Sequence, residues 1–117
     1  MATFVPKKGD LITLNFDPQS GHEQKGRRPA LVVSNELFNK ATGMAMVCPL
    51  TNTDRGIPFH VPVADKTALT GFVMVEQIKS IDFHSRQAKY IGQAPKILVD
   101  EVQGILDACL SDSTRKS

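Results

Sequence analysis

Tryptophan is absent from the 117 residues and tyrosine occurs once, so any aromatic stacking platform falls to Phe16, Phe83 or Tyr90. Cysteine is scarce too. Cys48 and Cys109 show no CxxC or Cys/His ligand spacing, which argues against a zinc site. Both lie in apolar runs, which favours buried free thiols in a reducing compartment. No apolar run nears the roughly 18 residues of a membrane span, and none of signal-peptide length opens the sequence, so a soluble, cytoplasmic chain is expected. Internal repeats, low-complexity segments and linkers are lacking as well. The net charge of +2 permits an anionic partner without establishing one.

What remains is ordinary globular material, 41% hydrophobic and 22% charged. It predicts one domain over residues 1–110 and a frayed polar tail over 111–117, with a core needing no metal or disulfide support. Most of the pattern is β. Leu11, Leu14 and Phe16 lie in a first strand bounded by Gly9-Asp10 and Asp17-Pro18. Ala30 to Val33 reads as a strand buried on both faces, and residues 35–42 can hold a helical turn. Met44 to Leu50 is a third strand. Phe59, Val61 and Val63 alternate with His60 and Pro62, and the prolines suggest an edge. Gly71 to Ile81 holds another strand or two, and Arg86 to Ile91 one more. Only the last segment has helical period, in Leu98, Val102, Ile105, Leu106 and Cys109, with Pro95 in the first turn. Six or seven short strands and a terminal helix make a small barrel with a helix packed on it.

The loop between the first two strands carries more charge than a connector needs. His22, Glu23, Lys25, Arg27 and Arg28 stand together there, and Arg28-Pro29 leads straight into the buried strand. Five cations (Lys7, Lys8, Lys25, Arg27, Arg28) oppose three carboxylates in the first 28 residues, so a basic surface is expected at this end.

The ordered series GDL-x5-FDP, GHEQKGRRPALVVS, TGM-x3-CPLTN, GIPFHV and EQIKSID resembles the MazF/PemK toxins of bacterial toxin–antitoxin pairs. The resemblance runs from about residue 5 to residue 110. It implies an SH3-like or CcdB-like barrel, a homodimer, and a ribosome-independent endoribonuclease that cuts single-stranded RNA at short sequences. It also implies a MazE-like antitoxin whose C-terminal segment covers the RNA groove, and no metal or other cofactor. By motif position, Arg28 and Thr51 fall on the family's catalytic pair, and Glu23 on a glutamate tied to substrate handling or catalysis. Gln77 and Lys79 match a region near the groove. Base readout falls to loops 17–27 and 51–57, which contain Asn52 and Thr53. Some relatives carry tryptophan near Thr13, and many carry a small hydroxyl residue where this chain has Asn52.

The chemistry of RNA cleavage sorts these residues. RNA supplies its own nucleophile, the 2′-OH, so one group must take its proton, one must stabilise the phosphorane and one must protonate the departing 5′ oxygen. Arg28 suits the phosphorane, since a planar guanidinium can pair two phosphate oxygens. A guanidinium stays protonated in proteins, so it cannot serve as a base. Thr51 suits a hydrogen bond to a non-bridging oxygen, and Glu23 suits the base. His22 titrates near neutrality and is a candidate assistant in proton transfer or backbone contact. Lys25 and Arg27 are left to attract backbone. Each residue also has a plainer reading: Glu23 can pair with Lys25 or Arg27, Thr51 can bond its own backbone, and Gln77 and Lys79 can be surface residues. Two other classes stay open, a CcdB-like toxin that binds a protein target such as gyrase, and a catalytically inert RNA- or partner-binding barrel.

Overall fold

Strand-forming runs separated by turn residues give seven antiparallel strands in the computed structural model, which describes residues 4–16, 26–63, 67 and 69–112. These are β1 (Asp10–Asn15), β2 (Arg27–Val32), β3 (Met44–Thr51), β4 (His60–Pro62), β5 (Phe72–Met74), β6 (Lys79–Asp82) and β7 (Lys89–Gln93). Between β2 and β3 lies the short helix α1 (Glu36–Thr42). Asn35 caps it by accepting from Phe38 N at 2.8 Å, and Gly43, at φ 71°, ends it in the left-handed region. The long helix α2 (Lys96–Leu110) follows Pro95 and closes with Ser111 N donating to Asp107 O.

The strands pair in the order β4-β5-β3-β2-β1-β7, with β6 also on β3. The expected barrel is therefore open, a strongly curved sheet. β4 and β7 stand at the two ends of that order, so β4 is the edge strand its prolines suggest. β3 pairs with β6 over Met44–Val47 and with β5 over Leu50–Thr51. Pro49, which has no N–H to donate, stands where the partner changes.

Alternation along β1, β2 and β3 sends side chains to two cores. On one face pack Ile12, Leu14, Ala30, Val32, Ala45, Val47, Ile81 and Phe83. On the other, Leu11, Leu31, Cys48 and Leu50 meet β4, β5 and the buried stripe Leu98, Val102 and Leu106 of α2. Hence residues 30–32 are apolar without interruption: both faces are covered.

One buried polar residue ties the N-terminal segment to this frame. Asn39 is fully buried and donates from Nδ2 to Pro6 O (2.8 Å) and Ser34 O (3.2 Å). Its Oδ1 accepts from Ser34 Oγ, which in turn accepts from Met46 N at 2.8 Å.

Three expectations need correction. The last strand begins at Lys89, not Arg86, because residues 83–88 form a turn with Gln87 at φ 55° and Ala88 N bonded to Phe83 O. Cys109 is exposed, one position round the helix from the buried stripe, whereas Cys48 is buried. Burial, with the Glu76 charge adding, pushes the Cys48 thiol up to about 12, so it is inert at neutral pH. Val61 and Val63 are buried and Pro62 exposed as expected, but His60 is buried and Phe59, just before β4, is 40% exposed, the reverse of what was expected of those two. Buried His60 Nε2 lies 2.9 Å from Glu76 Oε2, across the β4–β5 pair. The polar tail beyond residue 112 lies outside the described residues.

Asn39→Ala orphans the Pro6 and Ser34 carbonyls and is expected to cost about 2–4 kcal/mol in urea unfolding, against about 1 for removing the cap in Asn35→Ala. Glu76 gives a pH-dependent outcome. Burial pushes its carboxyl up, but hydrogen bonds from His60, the backbone and Gln77 outweigh this and hold it below its ordinary 4.5. Its stabilising contribution is therefore complete above 4.5 and fades as pH falls through the lower folded value. Thermal melts between pH 3 and 6, taken roughly a unit apart, should show Glu76→Gln with a flatter acid limb than wild type.

Candidate active site

Proline chemistry opens the sheet where the site forms. Val33 N donates to Met46 O, so by two-residue alternation position 29 also faces β3, and Pro29 has no N–H to offer. The β2–β3 ladder accordingly stops at Ala30–Pro49. Carried two residues further, its register sets Arg28 opposite Thr51, but the strands have parted. The gap is a cleft of about 280 Å³ lined by Arg28, Pro29, Leu50, Thr51, Asn52 and Thr70.

Arg28 and Thr51 are thus brought together as the sequence suggested. Arg28 is exposed and, among the described residues, its guanidinium makes no hydrogen bond or ion pair. Thr51 Oγ1 accepts from Thr53 N at 3.2 Å, the local backbone bond that a strand-ending threonine favours. That bond uses a lone pair and leaves the hydroxyl proton to donate outward. Asn52 adds an amide beside them. Among the described residues, every polar side chain on the wall can donate and no carboxylate lines it, an arrangement suited to an anion.

Arg27 does not share this cleft. Adjacent strand residues project from opposite faces, and Arg27 Nη2 donates to Thr13 O (3.0 Å), Thr13 Oγ1 (2.8 Å) and Gln87 O (2.8 Å). It straps β1 to the 83–88 turn. Gln77, in the 3-10 turn Val75–Gln77, and Lys79, at the start of β6, are exposed but do not line the cleft. Lys79 Nζ sits 5.3 Å from the centre of the Phe16 ring, a cation–π distance. Thr53 is exposed at the cleft's edge through its bond to Thr51. His22, Glu23 and Lys25 lie outside the described residues. The ends of their loop are joined by Phe16 N donating to Gly26 O at 3.0 Å, two residues from Arg28.

Two contributors escaped sequence reasoning. Thr70 Oγ1 donates to Asn52 Oδ1 at 3.0 Å. Gly71, at φ 102°, lies so close that a Cβ there would stand 2.3 Å from Thr51 O and 2.8 Å from Asn52 Oδ1. Only the Thr51–Phe72 pairing of β3 with β5 brings them to the site. The Thr-Gly pair just before a strand was the available signal, and it reads equally as an ordinary strand start.

Residues 7–110 match the family of PemK-like, MazF-like toxins of type II toxin–antitoxin systems. The endoribonuclease toxin ChpB of Escherichia coli is 43% identical over 100 residues, covering 81% of this chain and 85% of that protein. The endoribonuclease toxin MazF of the same species is 40% identical, with 75% and 78% covered. Among solved structures, MazF from Deinococcus radiodurans is 42% identical with a TM-score of 0.81, covering 92% of this chain and 98% of its own. A MazE–MazF crystal structure from that organism gives 36% identity at the same TM-score of 0.81, with 95% and 100% covered.

Gly71→Ala is expected to displace the end of β3. An added Cβ meets backbone oxygen, and the positive φ disfavours any side chain. Unfolding should show a loss of about 1–3 kcal/mol, and crystallography of the variant should show Thr51 moved away from Arg28.

Proposed function

The chain belongs to the family of PemK-like, MazF-like toxins of type II toxin–antitoxin systems, and we propose that it is an endoribonuclease cleaving single-stranded RNA at the Arg28–Thr51 cleft. The observation that carries this reading is the meeting, in one cleft, of a proton-bearing hydroxyl and a guanidinium that has no carboxylate partner among the described residues. Such a pair receives a scissile phosphate, and the substrate's own 2′-OH supplies the nucleophile without a metal.

Arg28 holds two non-bridging oxygens and stabilises the charge that develops on the phosphorane. Thr51 donates a hydrogen bond to the same group. The base is Glu23, carried by the loop whose joined ends lie beside Arg28. His22 assists proton transfer or holds backbone, and Lys25, Asn52, Thr53, Gln77 and Lys79 guide the strand, with Arg27 adding positive field from the opposite face. The departing 5′ oxygen takes a proton from water, and the products are a 2′,3′-cyclic phosphate and a 5′-OH. The toxin works in the cytoplasm as a homodimer, and a MazE-like antitoxin restrains it by covering this cleft. A CcdB-like, non-enzymatic role has less behind it, because it would be expected to depend on C-terminal residues, whereas the Arg28–Thr51 pair lies at the parting of β2 and β3.

Purified protein incubated with a long RNA and EDTA should make discrete cuts with cyclic-phosphate ends. Arg28→Ala and Thr51→Ala should each slow cleavage by about 10²-fold or more. Replacing the 2′-OH by hydrogen at a mapped cut site should abolish that cut alone. Cleavage that survives the deoxy substitution excludes the 2′-OH as nucleophile, and intact RNA across a broad set removes the nuclease assignment.

A further inference from the structure

The wall of the cleft holds one amide whose orientation is fixed from behind. Asn52 Oδ1 accepts from Thr70 Oγ1 at 3.0 Å. A hydroxyl alone could as well accept from an amide N–H, so this bond does not set the orientation by itself. Gly71 does. A Cβ in place of its hydrogen would point to within 2.8 Å of the same Oδ1, so the hydrogen actually there faces that atom. An oxygen tolerates a Cα–H directed at it, whereas an amide NH2 would set hydrogen against hydrogen. The carbonyl end of Asn52 is therefore turned to β5, and the Nδ2 donors are left for the cleft.

An asparagine that can use both ends of its amide pairs with adenine, giving one hydrogen bond and taking another. Here the carbonyl end is turned to Thr70 and Gly71, so the cleft meets only the donors. We propose that Asn52, held by Thr70 and Gly71, is a specificity-determining residue that selects a keto base, guanine or uracil, next to the scissile phosphate. Guanine offers O6 and N7, and uracil offers O4, as acceptors for Nδ2. In place of that keto oxygen adenine and cytosine carry an exocyclic amino group, whose hydrogens meet the amide's own and leave Nδ2 only a ring nitrogen or cytosine O2 to approach. The step is recognition only, and it rests on the nuclease reading above, since it places the base beside the phosphate held by Arg28 and Thr51.

Sequencing all 5′-OH ends from one long RNA, separately for wild type, Asn52→Asp, Thr70→Val and Thr70→Ser, tests it. Each variant's base frequencies are taken within its own set of cuts, so a change in overall rate does not enter. Wild type should show guanine plus uracil enriched at least five-fold over adenine plus cytosine at one position flanking the cut. Asn52→Asp, which can only accept, should shift that position toward adenine and cytosine and leave the other positions alone. Thr70→Val frees the amide to turn and should flatten the preference there at least three-fold, while Thr70→Ser, which keeps the hydroxyl, should retain it. Unchanged preference in both Asn52→Asp and Thr70→Val overturns the proposal while the nuclease reading stands. A wild type that cuts nothing overturns both.

Discussion

A strand has one hydrogen-bonding partner per side at any point along its length, and β3 answers two. It gives its first half to β6 and its last two residues to β5. Pro49 stands at the exchange, and on the opposite side Pro29 ends the ladder to β2. The sheet must therefore part where β3 finishes, and the residues on either side of the parting are Arg28 and Thr51. The core in which α2 packs with Leu11, Leu31, Cys48 and Leu50 keeps the rest of the sheet from following. The cleft is a local failure of pairing that Pro29 imposes inside a well-packed frame.

That frame also sorts the charges. Arg27 and Arg28 are neighbours of identical chemistry, yet one straps Thr13 to Gln87 and the other is free to meet an anion. The distinction comes from strand geometry alone, since consecutive side chains cannot share a face. A charge count near the first loop overstates what reaches the cleft, because a guanidinium already satisfied by three acceptors has little to give a ligand.

Much of this was legible in the amino-acid order, for identifiable reasons. The doubly buried run at 30–32, the helical stripe Leu98, Val102 and Leu106, and the prolines of the β4 edge each carry a local period or a missing donor. The Arg28–Thr51 meeting was legible through the motifs around both residues. Other features depend on contacts distant in sequence. The inward turn of His60 makes sense only with Glu76 sixteen residues on, and the late start of β7 follows from a positive φ at Gln87, a residue type that gives no warning of it. Thr70 and Gly71 belong to the site only because β5 pairs with the end of β3, and no local pattern announces that register.

The same dependence has a consequence during synthesis. Arg28 and Thr51 both leave the ribosome before residue 71 does. Until Gly71 and Phe72 can settle against Thr51, the end of β3 has no neighbour on that side to hold it at the parted edge. A growing chain thus carries its reactive side chains long before it carries a site.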